Sequence, residues 1–163
     1  MDCAISVDST DIPVAEDSPI DPDMYSYKLK RAALRYEIIL SLTTGNIVWL
    51  NGPFKAGACN DKSIFNNGVA HKLRTTHELA VTDKGYGGPE VLSRDDIPHH
   101  LKHLHNLYKA RQETVNKRFK NFTVLSQVFR NGHYEHADCF FAVASIVQVL
   151  LQHGEPLFEI ELP

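Results

Sequence analysis

An α/β fold, a mixed sheet with helices packed on it, is predicted by three observations. The run "LRYEIILSLTTGNIVWLNGPF" sets two stretches rich in β-branched and aromatic residues on either side of Gly45-Asn46, a hairpin turn pair. "CAISVDSTDIPV" and "HELAVTD" are further strand-like runs bounded by turn residues. From Pro98 the apolar spacing becomes helical and stays so nearly to Gly154.

Each element follows in order. The first strand gives way to turn residues and Pro13, and "AEDSPIDPDMYS", polar with two prolines, reads as a surface loop. The hairpin comes next. "AGACNDKSIFNNGVAHKLR" starts as a loop and predicts one helix over 61–74, with Asn60–Asp61 as its N-cap region and Ile64, Phe65, Val69 and Leu73 on one face. "HELAVTD" is a strand, "GYGGP" a turn and "EVLS" a short strand. Leu101, Leu104, Tyr108, Val115, Phe119, Phe122 and Leu125 then form an apolar stripe interrupted by Arg111, on a helix stopped by Asn131-Gly132. "YEHADCFFAVASIVQVLLQHG" is a second, largely buried helix that ends at Gly154. Linked by the 61–74 crossover, the strands of Asp8 and Asp83 are expected to lie parallel and adjacent, with both acids at strand ends on one sheet edge.

At 163 residues the chain suits a single domain, 1–163, able to bury a core without staples. No apolar run approaches the ~20 residues of a membrane span, so no membrane partner is expected. The N-terminus shows no secretory signal. Three cysteines without a CxxC pair suit reduced thiols inside the cell. The net charge of −3 conceals a split. Residues 1–23 hold seven acids and no Lys or Arg, which leaves 17 bases against 13 acids in the remainder. In 98–131, Lys102, Lys109, Arg111, Lys117, Arg118, Lys120 and Arg130 face one acid, Glu113. Such a segment is either a phosphate-binding surface or a solvated basic face.

A carboxylate at the end of a buried strand is costly unless paired or bound to a metal. Asp8, Asp83 and Glu113 could together hold two Mg²⁺ or Mn²⁺ ions, hard cations that take oxygen ligands and serve phosphodiester cleavage in pairs ~3.5–4 Å apart. Each has a bland alternative: Asp83 as turn chemistry before glycine, Glu113 as an i,i+4 partner of Lys109 or Lys117. Asp11 competes with Asp8 for the first position, and Asp61 is better read as a cap. "HHLKHLH" and "HYEHADC" carry metal-ligating side chains but lack the spacing of a zinc site. Trp49 is expected under the sheet. Tyr86 is open to base stacking or turn packing, and Lys84 to phosphate contact or solvation.

"SVDSTDIPV", "LRYEIILSLTTGNIVWLNGPFKAGACNDKSIF", "DKGYGG" and "RQETVNKRFKNFTVLSQVFR" together resemble the catalytic domain of DDE transposases, closest to the Harbinger- and IS5-like DDE superfamily endonucleases. The resemblance implies an RNase H-like fold and metal-dependent DNA cleavage and strand transfer. It places the three acids on Asp8 of "DST", Asp83 of "TDKGY" and Glu113 of "RQETVNKRF", at intervals of 75 and 30 residues. It also implies DNA as partner, Lys84, Lys109, Lys117 and Lys120 as contacts to it, a capacity to oligomerise, and nuclear residence in a eukaryote. Two departures stand out. Ser9 replaces the usual glycine after the first acid, which would tighten the turn presenting Asp8. The helical DNA-binding region that precedes the first acid in the family is not in this sequence, which begins seven residues before Asp8. End recognition would then come from a separate DNA-binding protein, or the domain would be a catalytically silent DNA- or protein-binding module. A stand-alone RNase H or junction resolvase would share the metal chemistry.

Overall fold

The structure is a computed structural model that describes residues 3–160. Its strands are β1 (Cys3–Pro13), β2 (Tyr25–Ser26), β3 (Arg31–Ser41), β4 (Ile47–Lys55), β5 (Leu79–Val81) and β6 (Val91–Leu92). Its helices are α1 (Asp61–Asn67), α2 (Ala70–Thr76), α3 (Lys102–Lys120), α4 (Thr123–Ser126) and α5 (His133–His153).

β1 pairs antiparallel with β3 from Ile5↔Ser41 to Pro13↔Ala33, and β2 and β4 both pair antiparallel with β3. On its other side β1 pairs parallel with β5, Ser6 opposite Val81, and β5 pairs parallel with β6. An antiparallel meander feeding two parallel strands is the RNase H-like arrangement, and the parallel β1–β5 pairing is the one expected from the crossover.

Four expectations change. β1 is eleven residues long, so Asp8 lies in mid-strand and no turn presents it. Ser9 therefore tightens nothing; strand alternation turns its side chain to the opposite sheet face, where its Oγ donates to Asp61 Oδ1 at 2.5 Å. The hairpin loop spans 42–46 rather than two residues, with Gly45 in the left-handed region at φ 72°. The crossover is two helices broken at Gly68, and Asn60 is the cap, its side chain accepting from the Ser63 N–H. The long helix ends at Lys120 because Phe122 takes an extended backbone (ψ 121°), after which α4 brings Leu125 into the core.

Helices cover both sheet faces. Ile12, Ile38 and Leu40 pack with Val115 and Phe119 of α3 and with Phe140, Val143 and Val147 of α5. Tyr36 stacks on Phe140 at 3.7 Å, and burying each such aromatic contributes roughly 2–3 kcal/mol. On the other face Val7 and Ile39 meet Phe65, Val69 and Leu73, with Trp49 partly buried beside them under the Lys72 ammonium. Among the described residues, α5 is long and apolar enough by composition to cross a membrane, contrary to the reading of the sequence. It instead lays one face on this core.

Arg111, the interruption in the apolar stripe, is buried because its guanidinium donates to Phe158 O and Leu42 O, binding the C-terminal segment and the hairpin to α3. Arg118 likewise donates to Glu155 O. These two bases are thus engaged internally.

Candidate active site

Strand alternation sends Ser6, Asp8 and Thr10 of β1 toward α3. The helix answers with two amides. Ser6 Oγ donates to Gln112 Oε1 at 3.0 Å, Gln112 Nε2 donates to Ile38 O at 2.6 Å, and Asn116 Nδ2 donates to Asp8 Oδ2 at 2.7 Å. The residues i, i+2 on the strand thus meet i, i+4 on the helix, so α3 runs parallel to β1 and its polar face forms a wall rather than a solvated surface.

Between that wall and the sheet lies a cleft of about 410 Å³. Asp8, Asp83 and Glu113 all line it, with Thr10, Tyr108, Gln112, Asn116 and four lysines, Lys28, Lys109, Lys117 and Lys120. Asp83 follows β5 by two residues, so the parallel register carries it alongside Asp8. The three acids share one cleft without converging: among the described residues no three His, Cys, Asp or Glu side chains lie close enough to hold an ion. Asp83 is turned to Lys109, its Oδ1 2.5 Å from the ammonium, Asp8 to Asn116, and Glu113 is exposed on the helix.

The electrostatics mark Asp8. Burial pushes its carboxyl above the usual range; the Ser9 backbone N–H and Lys28 oppose this, and Asp83 and Asp61 reinforce it. Burial, with Lys28 nearby, holds the Lys120 ammonium below its usual value. Two lysines that repel each other beside a carboxylate cleft form a seat that a phosphate would relieve. The groups in the cleft able to ligate a cation are carboxylate, hydroxyl and amide oxygens, and no Cys or His is among the described residues lining it, a set that suits Mg²⁺ or Mn²⁺.

Asp11 is occupied elsewhere. Arg35 Nε and Nη2 donate to it at 2.7 and 2.9 Å and Ser26 Oγ at 2.6 Å; burial opposes its charge, but these bonds prevail and hold its carboxyl below the usual range. Asp61 is bonded by Ser9 and lies 3.3 Å from Arg35. Tyr86 is buried edge-on against Phe65, so it is a packing residue and offers no face to a base. Lys84 pairs with Asp95 at 2.8 Å and lines a neighbouring hollow instead of the cleft. Lys28 went unnoticed in the sequence because it sits in a polar turn; the Tyr25–Ser26 and Ala32–Arg31 pairing makes that turn a tight hairpin beside β1. The Gln112 and Asn116 pair was visible as i, i+4 amides but not as the docking face of α3.

No curated protein and no solved structure matches the chain. A family model, described as DDE superfamily endonuclease, matches residues 7–148 and so takes in β1 from Val7 on, every residue of the cleft except Ser6, and α5 as far as Gln148. The chain belongs to the DDE superfamily of endonucleases.

Proposed function

We propose that this chain cleaves DNA phosphodiester bonds, and transfers strands, in a divalent-metal-dependent reaction of the transposase type. The observation that carries this is one cleft lined by Asp8, Asp83, Glu113 and four lysines. Asp8, Asp83 and Glu113 would hold Mg²⁺ or Mn²⁺. When bound, the ions supply activation of the attacking hydroxyl and stabilisation of the leaving oxygen. The chain's own residues do the rest. Lys28 and Lys120 seat a phosphate beside Asp8, while Lys117 extends that positive wall along α3 and positions the backbone without reading sequence. The partly buried floor at Asp8 strengthens every charge interaction made there.

The test is nicking of supercoiled plasmid. Nicking is expected with Mg²⁺ or Mn²⁺ and not in the presence of a chelator. A folded, DNA-binding protein with no metal-dependent nicking would overturn the proposal. It would also favour a second reading, a silent DNA-binding module, which the Lys109–Asp83 pair supports because an internal cation already neutralises one of the three acids.

That pair makes a separate prediction. Both partners are substantially exposed, so their bond contributes no more than about 1 kcal/mol. Lys109→Met is expected to tighten Mn²⁺ binding about two- to fivefold, since Asp83 no longer has a competing partner. Calorimetry that showed weaker Mn²⁺ binding would remove Lys109 as a competitor.

A further inference from the structure

We infer that Asn116 is a positioning residue that sets the orientation of the Asp8 carboxylate. The inference rests on the cleft being a metal-dependent nuclease site.

Two amides one helical turn apart face the same strand, and they differ in a telling way. Gln112 is satisfied at both ends, its Oε1 by Ser6 and its Nε2 by Ile38 O, as a purely structural amide should be. Asn116 is not. Its Nδ2 donates to Asp8 Oδ2 at 2.7 Å, while its Oδ1 is buried without a hydrogen-bond partner. Asparagine in a helix interior is disfavoured, and a buried orphan acceptor adds to the cost. The helix and the orphan oxygen therefore both count against this side chain, and its one bond to Asp8 is what it has to set against them. What it does supply is a donor to a carboxylate, a charge-assisted bond of the stronger kind.

The consequence is geometric. The Ser9 backbone N–H also bonds to the Asp8 carboxyl, so the group is held by donors from its own strand and from α3. The bond from Asn116 to Oδ2 fixes the rotation of the carboxylate, and with it the direction in which its remaining lone pairs face a cation. Asn116 lies three residues after Glu113 on the same helix. One helical turn thus carries an acid of the cleft and the group that aligns another. Partners that orient a ligating carboxylate typically matter to metal affinity about as much as tenfold or more.

The experiment compares Asn116→Leu and Asn116→Ala with the wild type by Mn²⁺ electron paramagnetic resonance, alongside thermal unfolding and with Asp8→Asn as reference. Mn²⁺ affinity is expected to fall about tenfold in both variants while the unfolding midpoint shifts little, because the cost of the orphan acceptor disappears together with the bond to Asp8. Alanine cannot clash, so it decides the matter if leucine does not fold. Unchanged affinity in a folded variant, with binding lost in Asp8→Asn, would overturn the role of Asn116 and leave the nuclease reading standing. Affinity and midpoint falling together would also overturn it, as a structural role. A wild type that binds no Mn²⁺ would overturn both.

Discussion

Asp8→Asn is expected to reduce metal-dependent DNA cleavage by about 1,000-fold or more while making the protein harder to unfold. The two halves have one cause. Burial, Asp83 and Asp61 all raise the Asp8 carboxyl above its usual range. A carboxyl raised in the folded state contributes most below its unfolded value, and that contribution is lost as the pH climbs through the folded one. At neutral pH the charge is therefore a burden to the fold, and asparagine, of the same shape, removes it. A purely structural acid would behave the other way, its loss costing stability. Plasmid nicking and thermal unfolding of the same preparation check both halves. Retained cleavage would dismiss Asp8 as a ligand, and a falling midpoint would make any lost activity uninformative.

The second large effect concerns stability alone. Glu37 is fully buried on the sheet face opposite the cleft, and neither of its oxygens has a hydrogen-bond partner at good geometry. Burial pushes its carboxyl up to about 7; Asp61 on α1 adds to the shift, and the Asn51 amide on β4 offsets only part of it. Against the ordinary value of 4.5, at ~1.4 kcal/mol per pH unit, the difference is about 3 kcal/mol. The folded chain keeps the proton that the unfolded chain releases between these values, so stability declines as the pH rises from 4.5 through 7. Glu37→Gln is expected to be about 3 kcal/mol more stable than the wild type at pH 8.5 and nearly equal to it at pH 4.5. For a chain of this size that gap is a midpoint difference of roughly 8 °C. Equal midpoints at pH 8.5 would show that Glu37 finds a partner in solution.

His136 works in the opposite direction. Burial lowers its imidazole to about 4, with His133 adding to the shift, while Tyr36 Oη lies 2.7 Å from Nδ1. Over pH 4.5–6.5 its contribution rises as that of Glu37 falls, so the wild-type profile there is flattened and the comparison with Glu37→Gln is the informative one.

Much of this fold was legible in the sequence because strands and hairpins announce themselves locally. The β3–β4 hairpin and the parallel partnership of β1 with β5 follow from residue type and from the handedness of crossovers. The three acids of the cleft were legible for another reason, the family resemblance, which knows their order. What escaped notice depends on contacts between distant segments. Periodicity shows that α3 has a polar face but cannot tell a face turned to water from one turned to Ser6 and Asp8. Arg111 reads as surface charge until Phe158 O and Leu42 O are brought to it. The length of β1 was underread because Asp8, Ser9 and Asp11 look like turn residues. Asn116, Asp61 and Arg35 meet them across the fold and let a polar strand continue.

The docking of α3 on β1 has a built-in limit. Four residues of helix advance about 6.0 Å, while two of strand advance about 6.7 Å. Ser6–Gln112 and Asp8–Asn116 fit within that discrepancy, but each further step adds the same slip again, and strand twist swings the rows apart. By Thr10 and Lys120 the two surfaces frame an opening instead of a seam. The mouth of the cleft is thus the vernier error of a helix laid along a strand. The slip accumulates toward Thr10 and Lys120, which line the cleft together with Lys28.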